Sequence, residues 1–393
     1  MTMREIRRLL LDLTGTVKRV DRQRLDLLQS ADWQRLQRLA AMHRLQPWLY
    51  WRHKEKSLVQ PEIVATWQAA HRRSAMNALV QQAELVECVN LLRGDGFDVV
   101  ALKGAYLASH AYPEPALRPM RDLDLILPGD QVVSAYETLR REGYELAEEL
   151  ILPIEESLVL DKHLPLMIAP RGTPIELHKR LSQPEGRLDL DAPHVDEAVL
   201  LERAMNADGI SYPVAEDMLA HLIVHAIYGH RLDCGPLVLT DIQYLTRKHT
   251  IDWQAFWQRA RREGWHGGAM LLIGLVREFH GGSAIEQITD EPEPPMEAIR
   301  ETAADLLLQN LNTRRSAKLL STLKSGNFAV LWNRVVGRVT ADGEQTASQD
   351  RKADGGYLRW AFAEAKSVIS QLFDNEVRAQ SQQLRTFGQW LKK

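Results

Sequence analysis

From Asp32 onward the apolar residues Trp33, Leu36, Leu39, Ala40 and Leu45 recur at the spacing of an amphipathic helix, with Asp32 placed to cap it. Pro47 is expected to end or kink that helix. A second helix is expected over 61–93, with Leu85, Val89 and Leu92 on one face, stopped by Gly94 and Gly96. Residues 1–95 therefore read as an N-terminal helical cap. At Phe97 the pattern changes. FDVVALKG is a short, continuously apolar run ending at Gly104, which suits a buried strand leading into a turn. RDLDLIL alternates as a strand, a helix follows over 128–141, and Gly143 and Tyr144 open another extended segment. HLPLMIA and TPIELHKRL add two strands. Residues 96–200 thus form an α/β core with a small mixed β-sheet.

Helical periodicity returns from Ala215 to Leu320, most clearly in EDMLAHLIVHAIYGH and IDWQAFWQRARREGW, so residues 201–324 read as a C-terminal helical domain. The polar stretch GEQTASQDRKADGG lacks apolar rhythm and places a flexible linker over 325–356, followed by an amphipathic C-terminal helix over 357–393. The fold class is α+β, a small mixed sheet flanked by helical regions at both ends. No internal repeat is visible.

Composition narrows the function classes. The net charge of −3 balances 49 basic against 52 acidic side chains, so there is no strong nucleic-acid signal and any polyanion must be bound locally. MTMREIRRLLLDLTG interrupts its apolar run with charge and lacks a small-residue cleavage site, which points to a cytoplasmic protein. GGAMLLIGLV falls short of the roughly 18–20 apolar residues of a membrane span, so none is expected. Cys88 and Cys234 are far apart in the chain and suggest two buried thiols rather than a disulfide or a thiolate zinc site.

The candidate chemistry lies in RDLDLIL. On an alternating strand Asp122 and Asp124 project from one face and Leu123 and Leu125 from the other, so two carboxylates converge. Converging anions call for a cation, and hard oxygen ligands suit Mg²⁺. Glu176, in another short strand, is the candidate third ligand; its alternative is a surface salt bridge with Lys179 or Arg180. Acidic residues on an exposed strand edge are the competing account of the aspartates.

LKGAYL, RPMRDLDLIL and IELH together resemble the signature of the uncharacterised nucleotidyltransferase family, a minimal nucleotidyltransferase fold of the polymerase beta-like superfamily. The resemblance runs from Trp33 to Trp265 and includes WQRLQRLAAMHRLQP, Asp241 and IDW. It implies that Asp122, Asp124 and Glu176 are the catalytic carboxylates, binding two Mg²⁺ ions. It further implies a nucleoside triphosphate such as ATP as donor and in-line attack by an acceptor hydroxyl on its α-phosphate. The broader superfamily has a Gly-Ser turn before the aspartates. Here the turn reads Lys103, Gly104, Ala105, which removes the serine hydroxyl, and the spacer to Asp122 is long. Gly104 can still let backbone approach a phosphate, and Lys103 is either a phosphate-binding point charge or a charged strand end.

Arg118 and Arg121 are placed to hold phosphate oxygens or to neutralise the carboxylates. Arg121 is the nearer in sequence, although its side chain should start on the opposite strand face from Asp122. His178 should share a face with Glu176. His221 and His225 have the spacing of a zinc pair but an apolar setting that favours core histidines, and His230 is expected off their face. Asp233 and Asp241 are possible substrate contacts, with Asp241 more naturally a helix cap. Trp48, Tyr50 and Trp51, beside Arg52, read as core rather than base-stacking residues. Three functions follow. The leading one is Mg²⁺-dependent transfer of a nucleoside monophosphate to a small molecule, sugar, peptide or protein. The others are phosphoryl or glycosyl transfer on the same fold and a non-catalytic nucleotide-binding module.

Overall fold

The computed structural model describes residues 1–55, 58–147, 161–182, 193–282, 296–324 and 374–392, together with residues 153, 154, 156 and 158. The expected linker over 325–356 and the first part of the C-terminal helix lie outside the described residues. The described part of that helix is Asn375–Trp390.

The architecture is α+β, a five-stranded mixed sheet flanked by helices. The first helix, Met3–Thr14, starts with a capping box in which Thr2 and Glu5 satisfy each other's backbone donors, and it buries Ile6, Leu9, Leu10 and Leu13. After the short helix Arg22–Asp26, the next is Ser30–Met42. Asp32 does not cap it: Gln29 is the cap, and Asp32 sits three positions on, accepting the Gln29 N–H at 3.2 Å. The helix thus begins earlier than the apolar rhythm, because its first turn is polar. It ends before Pro47, which opens a new helix, Gln46–His53, where its missing N–H costs nothing. Pro61–Gly94 forms the long helix, and Gly96 takes the left-handed backbone that turns the chain into the sheet.

The strands are β1 (Val100–Ala101), β2 (Leu123–Ile126), β3 (Glu145–Leu146), β4 (Met167–Ile168) and β5 (Pro174–His178), in spatial order β1-β2-β5-β4-β3. Only β2 and β5 are parallel, with helix Val132–Arg141 in the connection between them. A second sheet went unforeseen. β6 (Met205–Ala207) and β7 (Ile210–Tyr212) form a hairpin whose turn residues Asp208 and Gly209 both have positive φ. Asp-Gly between short apolar runs was the available signal.

The short helix Glu197–Glu202 precedes the second sheet, and helices Ala215–Val224, Leu237–Lys248, Trp253–Arg262, His266–Phe279, Glu297–Leu307 and Arg314–Lys324 follow it, ahead of the C-terminal helix. They share one hydrophobic core with the N-terminal helices, running from Ile6 to Phe387. The Trp48 indole donates to the Thr14 carbonyl at 2.9 Å, and the Thr16 N–H donates to the Phe279 carbonyl at 2.7 Å. A Cβ at Gly15 would collide with that same carbonyl oxygen. No helix among the described residues is long and apolar enough to cross a membrane.

Buried histidines, His43 and His280 among them, make folding pH-dependent. Burial pushes His43 down to about 4 and His280 down to about 3, from an ordinary value near 6.5. An unfolded chain takes up protons at both below about pH 6.5, whereas the folded one does not until the lower values are reached. Their contribution to stability is therefore complete above pH 6.5 and falls as the pH drops, by about 1.4 kcal/mol per pH unit for each group. Urea unfolding at pH 7.5 and 5.5 is expected to show a lower midpoint at the acid pH. His280→Gln is expected to shrink the difference, and an unchanged difference would refute the assignment.

Candidate active site

Register builds the site. β2 and β5 pair so that Leu123 faces Ile175 and Leu125 faces Leu177 in the core, which sets Asp124 directly beside Glu176 and Ile126 beside His178. A slip of one residue would turn the leucines to the polar face and the carboxylates into the core, so the apolar pattern enforces the pairing. Asp122 precedes β2 by one residue, on the side of Asp124. His178 lies two residues beyond Glu176 and shares its face. β1 delivers Lys103: the Leu102 N–H bonds the Asp124 carbonyl at 2.9 Å, and the Lys103 ammonium reaches the Asp124 carboxylate at 3.2 Å. Lys103 holds a φ of 43°, a strained backbone for a residue with a side chain, of the kind often found at functional sites. The segment before β4 pairs His163 with His178 and adds His163 and Lys162.

Asp124 accepts from His178 Nε2 at 2.8 Å, and the same Nε2 lies 3.3 Å from Glu176. His178 Nδ1 is buried without a partner, so the proton belongs on Nε2, between the two carboxylates. His163 Nε2 stands 3.7 Å from Glu176. Burial raises the Asp124 carboxyl, but Lys103 and His178 more than offset it and hold it well below the usual range. Glu176 follows the same course: burial raises it, and His178 and His163 bring it below its ordinary value. Asp122 goes the other way, raised by burial and by the charges of Asp124 and Glu176. Among the described residues it has no hydrogen bond or ion pair.

An orphaned carboxylate beside two partnered ones is short of positive charge. Ligand atoms of Asp124, Glu176 and His178 lie within 4.8 Å of one another, near enough to share one cation, and Asp122 feels both carboxylates. The donor set suits a hard divalent ion held by carboxylate oxygens, with His178 steering them by its N–H.

Other candidate residues fall elsewhere. Arg118 is spent on Asp241, in a two-pronged pair of 3.1 and 2.9 Å to which the Tyr112 hydroxyl adds a bond of 2.7 Å. Asp241 is not a helix cap: it sits inside helix Leu237–Lys248, buried, because it neutralises Arg118. Gly104 is buried, and a Cβ there would lie 2.8 Å from Arg118 Nη1 and 2.9 Å from Met120, so glycine is what lets both side chains close on the turn. Arg121 is exposed and has no ion pair among the described residues. Glu176 meets His178 and His163 rather than Lys179 or Arg180.

His221 is buried in the core and His225 half-buried beside it, both pushed well down by burial, their rings 5.8 Å apart. His230 does not fall off their side. A π-helical turn at His225–Gly229 spaces it five residues from His225 and brings the rings to 4.2 Å. Asp233 accepts from His230 at 2.8 Å and pairs with Arg314 at 2.7 Å. Trp48 is buried and stacks on Trp51. Sequence reasoning missed Lys162 and His163, which stand in a segment with no motif. Burial lowers Lys162, which faces Lys103, Asp124 and Glu176.

A model of the uncharacterised nucleotidyltransferase family matches residues 29–281, well over half of the chain, and the chain belongs to that family. It is an enzyme of the nucleotidyltransferase type. No curated protein and no solved structure matches it.

Proposed function

We propose that the protein transfers a nucleoside monophosphate from a nucleoside triphosphate, ATP among the candidates, to a hydroxyl acceptor, with two Mg²⁺ ions held by Asp122, Asp124 and Glu176. The observation that carries this reading is Asp122, a partly buried carboxylate that forms no ion pair among the described residues, beside two that do. Bound there, the ions would polarise the α-phosphate, lower the acceptor hydroxyl's pKa and steady the departing pyrophosphate. His178 orients Asp124 and Glu176 through one N–H, so two ligands are fixed before a cation arrives. Lys103 neutralises Asp124 while no cation is bound and is free to turn to a phosphate oxygen when one is. Gly104 admits Arg118 and Met120 against the turn that carries Lys103, and Arg121 offers a guanidinium to the donor.

The test is incubation with Mg²⁺ and α-labelled nucleoside triphosphates against sugar, small-molecule, peptide and protein acceptors, followed by mass spectrometry. Addition of a nucleoside monophosphate with release of pyrophosphate is expected. Addition of a phosphate or a sugar would replace this reading with phosphoryl or glycosyl transfer. Nucleotide binding with no transfer to any acceptor would favour a non-catalytic binding module.

A further inference from the structure

Arg44 sits in the turn between helices Ser30–Met42 and Gln46–His53, in the left-handed conformation with φ of 57°. Its Nη1 donates to the Pro119 carbonyl at 2.9 Å, which ties the guanidinium to the segment entering Asp122. Its Nε is buried without a partner. Among the described residues it forms no ion pair. Of its basic neighbours, Arg121 and Arg118, the second is neutralised by Asp241, while the first has no ion pair among the described residues. A guanidinium partly withdrawn from water, with its Nε shut off and no carboxylate, is costly, and a lone carbonyl contact does not require a charge. Burial lowers Arg44 to about 10, helped by Arg121 and Arg118 and opposed by Asp122, so it remains charged at neutral pH.

We infer that Arg44, carried by the N-terminal helical region, is a phosphate-binding residue of the site and grips the polyphosphate of the donor nucleotide together with Arg121. The inference rests on the proposed nucleotidyl transfer and adds to it a residue outside the α/β core. A bound triphosphate adds negative charge at the carboxylates, and the guanidiniums of Arg44 and Arg121, neither in an ion pair among the described residues, stand at the segment entering Asp122 to meet it together with Lys103 and the metal ions. Their forked donors suit phosphate oxygens. The N-terminal helices thereby become part of the donor site.

The experiment measures calorimetric binding of a non-hydrolysable nucleoside triphosphate and of the matching monophosphate, both with Mg²⁺, to wild type, Arg44→Gln and Arg44→Asn. Asparagine is at ease at positive φ, so the second variant reads the loss on an unstrained turn. Mn²⁺ binding by electron paramagnetic resonance serves as a readout free of phosphate. Losing a hydrogen bond to a charged group, worth about 1.5–3 kcal/mol, corresponds to roughly 10- to 150-fold weaker triphosphate binding. Monophosphate and Mn²⁺ binding are expected to hold within about threefold, and thermal unfolding to stay near wild type. Both variants binding the triphosphate as wild type does would overturn the role of Arg44 alone. An equal loss of Mn²⁺ binding would overturn it too, by showing that Arg44 acts on the carboxylates. A wild-type protein that binds no triphosphate would overturn the nucleotidyl-transfer reading along with it.

Discussion

Asp124→Asn is expected to lower nucleotidyl transfer on the order of a thousandfold or more and to abolish Mn²⁺ binding. Losing a metal ligand removes several kcal/mol of transition-state charge stabilisation, and about 4 kcal/mol corresponds to roughly a thousandfold in rate. Its stability effect gives the mechanism a second check. The Asp124 carboxylate is held well below its usual range by Lys103 and His178 despite burial, so its charge favours the metal-free fold, and removing it destabilises. Asp122 is raised by burial and by Asp124 and Glu176, so its charge opposes the fold, and Asp122→Asn is expected to stabilise the metal-free protein. Both variants should lose the rise in melting temperature that a saturating divalent ion gives wild type, about 2.7 kcal/mol at a hundredfold excess over Kd. The opposite signs test the electrostatic arrangement of the two carboxylates, and the lost response to the divalent ion distinguishes a cation site from a mere acidic cluster. Equal metal-free melting shifts, or Mn²⁺ binding that survives Asp124→Asn, would refute the arrangement.

Asp241→Ala is expected to cost about 3–5 kcal/mol of stability, the penalty of leaving a buried guanidinium without its carboxylate. Arg118 contacts Asp241 through two nitrogens, its side chain is 15% exposed against 2% for Asp241, and the Tyr112 hydroxyl loses its acceptor as well. Against a usual total of about 5–15 kcal/mol this is a large share. The damage should reach the site, because Arg118 packs on Gly104, next to Lys103. The double variant Arg118→Met with Asp241→Leu is expected to recover much of the loss, since apolar side chains of similar volume can replace a buried ion pair. Urea denaturation midpoints measure both. A shift for Asp241→Ala within the roughly 0.5 kcal/mol of a surface substitution would show that the pair carries no such weight.

Much of the candidate site was legible because strands have a period of two. That period alone put Asp122 and Asp124 on one face, and Glu176 and His178 on one face of another strand. The long helix Pro61–Gly94 was legible from its glycine stop, and the break before Pro47 from proline chemistry. The Asp208-Gly209 hairpin was written in the chain as well and went unread, because helical periodicity nearby drew the boundary.

Partner choice was not legible. Lys103 and Arg118 are both basic residues near the aspartates in sequence, yet one meets Asp124 and the other meets Asp241, 123 residues away. Nothing local distinguishes them. The π-helical turn that brings His230 to His225 likewise breaks the period on which the sequence reading relied. The sequence by itself determined the main strands and helices, most of the turns that interrupt them, and which carboxylates share a face. All of these follow from dihedral periodicity and side-chain chemistry within a few residues. Only the tertiary structure decided that β2 and β5 run parallel with Asp124 beside Glu176, that His178 bridges the two, and that Arg44 reaches the segment before Asp122. Those arrangements depend on packing between distant segments, where burial and charge select one pairing among many that local preference allows.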